Sequence, residues 1–210
     1  MNWIDRYQMM IDISTGMEFL HSKSFPNGGA KQDVFHQDLK SGNIQLYSKN
    51  KSLRAKISDF GLSILRDYSF VSENLLRSHY SHENLSVVNL NGWTEEYKAP
   101  ELQSDTAQFT KLCDVYSFGI ILLELITLNQ SNSKLVKTLK SSLHLLKFGK
   151  LEICNSLGYI LEKSLNLNYK LRLPFKNLRI LILSEKIEII KYFSTNDGIF
   201  KCKIEYEDVL

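Results

Sequence analysis

Two short segments of the sequence carry the side chains best suited to chemistry. One runs from His36 to Asn43 with the sequence HQDLKSGN, and the other, Asp59 to Gly61, has the sequence DFG. Carboxylate and amide oxygens are the ligands that hard cations such as Mg²⁺ prefer. APE at 99–101 and DVYSFG at 114–119 follow in order. Five fixed residues in one loop arise by chance at on the order of one position in a million, so the ordered set is not coincidence.

In type, spacing and order, these segments resemble the catalytic loop, the magnesium loop and the end of the activation segment of eukaryotic protein kinases. The stretches MEFLHSK, DLKSGNI, KISDFGLS and YKAPEL are similar to the tyrosine-kinase-like group of mainly serine/threonine kinases. The resemblance covers the chain from about residue 3 to about residue 183. It implies the C-terminal lobe of a protein kinase, a mainly α fold with a small β-hairpin.

The resemblance also implies roles for particular side chains. Asp38 is expected to orient the substrate hydroxyl and accept its proton, and Lys40 to neutralise the γ-phosphate of ATP. Asn43 and Asp59 are expected to bind Mg²⁺. The positions of Lys40 and Thr94 favour serine/threonine specificity over tyrosine specificity. ATP and Mg²⁺ are therefore the implied cofactors, and a protein substrate is the implied partner.

Other residues are expected to support these groups. By resemblance, His36 packs against Phe60 and does no acid–base chemistry, and Asp114 accepts backbone N–H bonds from the catalytic loop. Glu101 matches a glutamate that pairs with a later arginine, for which Arg172 is the candidate. The alternative for this last pair is two unrelated surface charges.

Two glutamines depart from the family pattern. Gln37 stands where many kinases have the arginine that binds a phosphorylated activation segment, and a neutral amide cannot form that charged fork. Activation by phosphorylation of the segment is therefore less expected. Gln45 belongs to the nucleotide site by resemblance but replaces the leucine that lies beneath adenine. On a strand it points away from Ile44 and Leu46, so we expect weakened adenine affinity.

The elements that must position these groups follow from periodicity and turn residues. Helices are predicted at Trp3–His21 and Leu112–Leu128, and in several pieces over Leu143–Phe193. A hairpin is predicted from Ile44–Tyr47 and Leu53–Ser58. Loops are predicted at Ser24–Gln32 and over Leu62–Lys98, with a turn at Thr195–Gly198.

The domain organisation expected from the resemblance is incomplete. Residues 1–183 are expected to form the C-terminal portion of a kinase catalytic domain, and residues 184–210 an unassigned extension. The expectation is that the β-rich N-terminal lobe that covers ATP is not part of this chain and is either missing or supplied separately. Impaired phosphoryl transfer is then expected. The alternatives are an inactive, pseudokinase-like binding module and a gene fragment.

The totals exclude several other classes. The 210 residues are 43% hydrophobic and 23% charged, as in globular domains, and the net charge of +3 predicts neither nucleic-acid nor anionic-membrane binding. Three separated cysteines suggest neither disulfides nor zinc. Asp5 and Arg6 argue against a signal peptide, and the apolar run Val115–Leu128 is too short for a membrane span. A reducing cytoplasmic location is expected.

Overall fold

The part of the chain that the structure describes consists of four long helices joined by short strands and turns. The computed structural model describes residues 1–23, 26–27, 30–60, 64–67, 94–103, 109–130, 147–148, 152–195 and 204–205. The helices are α1 (Trp3–Ser22), α2 (Lys111–Thr127), α3 (Glu152–Leu165) and α4 (Phe175–Thr195). The strands are β1 (Pro26–Asn27), β2 (Ala30–Phe35), β3 (Ile44–Lys49), β4 (Ser52–Ile57), β5 (Ile64–Asp67), β6 (Lys147–Phe148) and β7 (Ile204–Glu205). The expectation of a mainly helical fold is confirmed for these residues.

Helix α1 forms as its apolar spacing predicts. It begins at Asn2, whose side chain accepts a hydrogen bond of 2.8 Å from the backbone N–H of Asp5 and so satisfies one free donor of the first turn. Tyr7, Met10 and Met17 recur at helical spacing and are fully buried against the rest of the core. The helix thereby places its C-terminal end beside the segment that leads into the catalytic loop.

The predicted hairpin after the catalytic loop is confirmed, with the first strand extended to Lys49 and the second shifted by one residue to Ser52–Ile57. Strands β3 and β4 pair antiparallel from Ile44 opposite Ile57 to Lys49 opposite Ser52. Asn50 and Lys51 connect them with φ angles of 52° and 62°. Positive φ at both positions is the geometry of a tight two-residue hairpin turn, which matches the twist of the strands.

Helix α2 is the centre of the fold, and its almost uniformly apolar sequence matches its burial. It begins at Thr110, whose hydroxyl accepts from the backbone N–H of Leu112 at 3.2 Å. Gly119 allows a close approach of α3, because an added Cβ would lie 2.7 Å from a methyl group of Leu165. Among the described residues, no helix combines the length and the apolar character that crossing a bilayer requires.

Two predicted loops contain strands. In Ser24–Gln32, β1 pairs with β2 through Asn27 and Ala30, which flank two glycines, a composition that suits a tight reversal. In Leu62–Lys98, β5 pairs with β2 along four residues, too few for their periodicity to be visible in the sequence. Most of this second segment, residues 62–63 and 68–93, lies outside the described residues.

The described residues of the C-terminal part are helical as predicted, with one correction. Strand β6 lies within the range Leu143–Phe193 and pairs with β7 near the C-terminus. Helix α4 continues past residue 183 and reaches Thr195, so the expected extension begins inside a helix. Its side chains contact α1, where Arg179 donates a hydrogen bond to Glu18 and Lys186 donates one to Gln8. Residues 196–198 of the predicted turn lie outside the described part of the chain.

Candidate active site

The buried carboxylate of Asp114 on α2 binds the backbone of the catalytic loop. Its Oδ2 accepts the backbone N–H of His36 at 2.9 Å, and its Oδ1 accepts that of Gln37 at 3.0 Å. His21 at the end of α1 adds a contact of 2.8 Å between its Nε2 and Oδ2. Several partners make a fully buried carboxylate tolerable, because they replace the hydrogen bonds that water would supply.

Two residues of the site have left-handed backbone conformations. Gln37 has a φ of 70° and Asp59 a φ of 62°, angles that non-glycine residues adopt uncommonly. Such conformations persist only where the surroundings hold them, as Asp114 holds the backbone N–H of Gln37. The kink at Gln37 immediately precedes Asp38, so the strain lies where the candidate catalytic side chain leaves the loop.

Asp38, Lys40 and Thr94 lie in one hydrogen-bonded cluster. The ammonium group of Lys40 donates to Oδ2 of Asp38 at 2.6 Å and to the hydroxyl of Thr94 at 3.1 Å. Asp38 and Lys40 are two residues apart, whereas Thr94 comes from a distant turn of the chain. The arrangement places a carboxylate, a cation and a hydroxyl at one surface of the protein.

Asn43 joins the catalytic loop to the segment that carries Asp59. Its side-chain Nδ2 donates to the backbone oxygen of Asp38 at 2.7 Å and to Oδ2 of Asp38 at 3.1 Å. Its own backbone oxygen accepts both the N–H and the hydroxyl of Ser58, at 2.9 and 3.0 Å. Asp59 follows directly and is exposed.

These residues fit a Mg²⁺ ion. The side-chain nitrogen of Asn43 donates both of these hydrogen bonds, so the side-chain oxygen is left to serve as a ligand. Asp59, on the adjoining segment, would supply carboxylate oxygens. Mg²⁺ is usually bound by one or two protein groups together with water and substrate phosphates, so a small ligand set of this type suits it.

His36 is a packing residue in this structure. Its ring is fully buried, and its centroid lies 5.0 Å from that of Phe60. Its Nε2 contacts the backbone oxygen of Ser58 at 3.2 Å. His36 therefore links the catalytic loop to the DFG segment, while Phe60 itself remains 48% exposed.

Glu101 and Arg172 form a two-pronged ion pair. Two guanidinium nitrogens of Arg172 each lie 2.7 Å from a carboxylate oxygen of Glu101. Arg172 also donates to the backbone oxygens of Leu112 and Asn166 at 2.9 and 2.8 Å. Burial and the neighbouring carboxylate raise the pKa of the Cys113 thiol to about 12, and this neutral thiol donates to Glu101 at 3.3 Å.

Gln45 is exposed on one face of β3. Ile44 and Leu46, its neighbours in sequence, point to the opposite side, where both line one cavity. The alternation predicted for this strand is therefore present.

Sequence reasoning missed a polar connection beneath the catalytic loop. The hydroxyl of Tyr97 lies 2.9 Å from that of Ser41 and donates to Oε1 of Glu124 on α2 at 2.8 Å. The contact between His21 and Asp114 was missed as well. No local signal marks these residues, because each partner lies far away in the sequence and only the folded chain brings them together.

Comparisons with known proteins agree with this geometry. The protein kinase domain family matches residues 4–178. Calcium/calmodulin-regulated receptor-like kinase 2 of Arabidopsis thaliana is 41% identical over 127 residues, which cover 60% of this chain and 23% of that protein. PTI1-like tyrosine-protein kinase 1 of the same organism is 37% identical over 127 residues, covering 60% and 29%.

A third relative comes from another organism. Probable serine/threonine-protein kinase pats1 of Dictyostelium discoideum is 37% identical over 128 residues, or 60% of this chain and 3% of that protein. The chain thus spans less than a third of the length of each of these relatives. Because the family match extends over most of the sequence and includes every residue of the Asp38 cluster, the chain belongs to the protein kinase domain family.

Proposed function

We propose that this chain supplies the catalytic and magnesium-binding half of a protein serine/threonine kinase, which transfers a phosphoryl group from ATP to a hydroxyl group of a protein substrate. The observation that carries the proposal is the cluster in which Lys40 contacts both Asp38 and Thr94 while Asn43 holds Asp38 from the other side. Positioned charges of this kind are what phosphoryl transfer needs, since the protein contributes mainly orientation and electrostatic stabilisation.

Asp38 acts on the substrate hydroxyl in this proposal. Its carboxylate accepts the hydroxyl proton, and the hydrogen bond from Asn43 fixes its orientation. Lys40 turns from Asp38 toward the transferred group and balances its negative charge. Asn43 and Asp59 would hold Mg²⁺, and the bound ion would supply positive charge against the phosphates of ATP.

Serine/threonine specificity is the finer part of the proposal. Its support is the hydrogen bond of 3.1 Å from Lys40 to Thr94, a residue of the turn that precedes Tyr97. The names of the relatives include both tyrosine-protein and serine/threonine-protein kinases. A phosphoamino-acid analysis of the product is therefore the direct test of this part.

We further propose that residues 1–183 are the C-terminal lobe of the kinase domain and that a β-rich lobe covers them in the active enzyme. The exposed side of Phe60 supports this proposal, because a large aromatic ring packed on His36 from one side only is a surface that a second unit can bury. The lobe would also cover ATP. Its source, the same polypeptide or another, is part of what must be tested, as is a cytoplasmic location.

A binding module without phosphoryl transfer is the second candidate. Gln45 favours it, because the amide lies on the exposed face of β3 where the proposed enzyme would place adenine. In that case the exposed ring of Phe60 would contact a protein partner. The two candidates differ in one measurable property, the transfer of phosphate.

The test is a phosphate-transfer assay on this chain fused behind the segment that precedes the matched residues in calcium/calmodulin-regulated receptor-like kinase 2. We expect transfer by the fusion, little or none by the chain alone, and a loss of about 100- to 10,000-fold for Asp38→Asn, because proton acceptance contributes that range. Glu162→Gln removes an exposed carboxylate on α3 and is the matched control, with activity unchanged.

Two results would contradict the proposal. A fusion that folds but transfers no phosphate would favour the binding module. Equal activity of the Asp38→Asn and Glu162→Gln fusions would show that Asp38 is not the catalytic base.

A further inference from the structure

Helix α4 carries a row of apolar side chains that the fold leaves exposed. The row consists of four residues that are 40–53% exposed, Ile180, Leu183, Ile187 and Ile190. Residues three and four apart lie on the same face of a helix, so these side chains, which we call the α4 stripe, form one line. Leu178, on the side of α4 that faces the core, is fully buried by contrast. A contiguous apolar row on a protein surface, unlike single scattered residues, marks an interaction surface.

The cations beside the α4 stripe are bound within the chain. Arg179 donates a hydrogen bond to Glu18 of α1. Lys186 likewise donates one to Gln8, so both cations are turned toward α1. Among the side chains of α4 that the structure describes, Lys176 is the exposed cation, and it lies a full turn before the stripe begins. An anionic membrane or an acidic helix would need several available cations along the stripe. The surface therefore suits a partner that is apolar and uncharged along its line of contact.

A second copy of the α4 stripe is such a partner. The stripe residues are separated by steps of three, four and three residues, a spacing that reads the same in both directions. When two α4 helices pack antiparallel about a twofold axis, Ile180 of each copy lies opposite Ile190 of the other. In the same arrangement, Leu183 lies opposite Ile187, so every stripe residue meets an apolar side chain, as a self-complementary contact requires. Ser184, beside the axis, is small and exposed, which allows the helices to approach closely.

The apolar surface continues onto α1 and is of limited size. The two hydrogen bonds between the helices show that α1 and α4 run antiparallel, so Ile4, one turn before Gln8, lies toward Ile190. Ile4 is 40% exposed. From Ile180 to Ile190 the stripe is about 15 Å long, at about 1.5 Å per residue. A contact of this length falls at the small end of specific interfaces, so the association that it supports is weak and reversible.

We propose that the α4 stripe is the contact surface of a reversible dimer of this chain, in which two α4 helices pack antiparallel across a twofold axis. Burial of the apolar stripe residues supplies the driving force. Arg179 and Lys186 do not oppose the contact, because each is turned toward α1 of its own copy. Dimerisation requires neither ATP nor a second lobe, so it is independent of the proposed kinase function.

The experiment is sedimentation equilibrium of the full 210-residue chain at concentrations from about 5 to 500 µM, the range that suits a small interface. The measured mass should rise from that of one chain toward that of two. Leu183→Glu and Ile187→Lys should each raise the dissociation constant at least about tenfold, because each dimer would then bury two unpaired charges. Leu167→Glu is the matched control, since it places the same charge on a leucine that is 78% exposed outside α4, and the dissociation constant should not change. Circular dichroism should show equal helix content in all variants.

A mixture of the two variants tests the antiparallel register. In a mixed antiparallel dimer the introduced glutamate lies opposite the introduced lysine, and the other stripe residues still form apolar pairs. An equimolar mixture of Leu183→Glu and Ile187→Lys should therefore dimerise more tightly than either variant alone. A parallel dimer would not regain affinity in this way, because residue 183 would then face residue 183 of the other copy.

The proposal is overturned if the unaltered chain sediments as a monomer at every concentration, or if Leu183→Glu weakens the dimer no more than Leu167→Glu does. A mixture that dimerises no better than its components would also overturn it, because the antiparallel register would be wrong. Binding of a monomeric chain to vesicles of phosphatidylcholine and phosphatidylserine, with loss of binding in Leu183→Glu, would assign the stripe to a membrane surface instead.

Discussion

Two carboxylate–cation pairs of similar length occupy very different surroundings. Glu101 and Arg172 meet at 2.7 Å, with the arginine side chain 0% exposed and the glutamate 17% exposed. Asp38 and Lys40 meet at 2.6 Å, but the lysine is 26% exposed and the aspartate 10%. Length alone therefore does not distinguish a pair that holds the fold from a pair for which we propose a role in chemistry.

The two pairs differ most in how many further bonds fix the cation. Four of the five N–H donors of the Arg172 guanidinium engage Glu101 and two backbone oxygens, so the side chain cannot turn to another partner without leaving buried donors unsatisfied. Among the described residues, the ammonium of Lys40 donates to the partly buried side chains of Asp38 and Thr94, and it is exposed enough to rotate toward a phosphate. The buried pair is rigid because the arginine is bound on most sides, and the pair at the candidate site is adaptable because the lysine is not.

The largest expected effect is on the rigid pair. Arg172→Leu should lower the free energy of unfolding by about 3 to 5 kcal/mol, because it leaves the Glu101 carboxylate partly buried beside a neutral thiol. Urea unfolding followed by circular dichroism measures the change. A loss below about 1 kcal/mol would show that the pair behaves like a surface salt bridge.

The control for Arg172→Leu removes both charges. Combining it with Glu101→Leu should recover part of the lost stability, since the penalty comes from an uncompensated charge. A double variant less stable than Arg172→Leu alone would place the energy in packing instead.

An intermediate effect is expected for the pair between Asp12 and Arg54, which joins α1 to β4. Burial alone would raise the pKa of Asp12, but hydrogen bonds from Arg54, the Ala55 backbone and Gln8 outweigh it and hold the pKa below its ordinary value of 3.8. A depressed folded-state pKa adds stability above pH 3.8, and that stability is lost as the pH falls through the folded-state value.

Asp12→Asn tests this pair. The variant should be less stable than the unaltered chain by about 1 to 2 kcal/mol at pH 6. The difference in stability should be smaller at pH 3, because the contribution of the depressed Asp12 pKa begins to be lost once the pH falls below the ordinary value of 3.8. Urea unfolding at the two pH values measures the difference in stability between the variant and the unaltered chain. A difference that does not change with pH would mean that the carboxylate charge contributes nothing.

Some features of the fold could be predicted from local sequence signals, and others only from the resemblance to a family. Helix α1, helix α2 and the hairpin follow from periodicity and turn residues, which are local signals. The family pattern brought Glu101 together with Arg172, a pairing across 71 positions that periodicity cannot supply. The strands within the predicted loops are too short for a periodic signal.

The contacts that support the site were the hardest to predict. The bond between His21 and Asp114 joins residues 93 positions apart, and neither belongs to a motif with the other. Tyr97 reaches Ser41 and Glu124 in the same way. Polar contacts of this kind depend on how helices pack, and hydrophobic pattern fixes only which faces are buried, not which polar side chains meet between them.

The smallest effect on stability is expected at the adaptable pair. Lys40→Met keeps the apolar stem of the side chain and removes only the ammonium group, which is partly exposed and so already shares its charge with water. The free energy of unfolding should fall by less than about 1 kcal/mol, measured by urea unfolding as for Arg172→Leu.

In the fusion with the preceding kinase segment, the same variant should transfer phosphate at least about tenfold more slowly, because no cation remains to balance the transferred group. Lys40→Arg is the matched variant, since it restores the charge in a different shape and should recover stability fully but activity only in part. A loss of 3 kcal/mol or more for Lys40→Met, of the size expected at Arg172, would make Lys40 a structural residue and end the distinction between the two pairs.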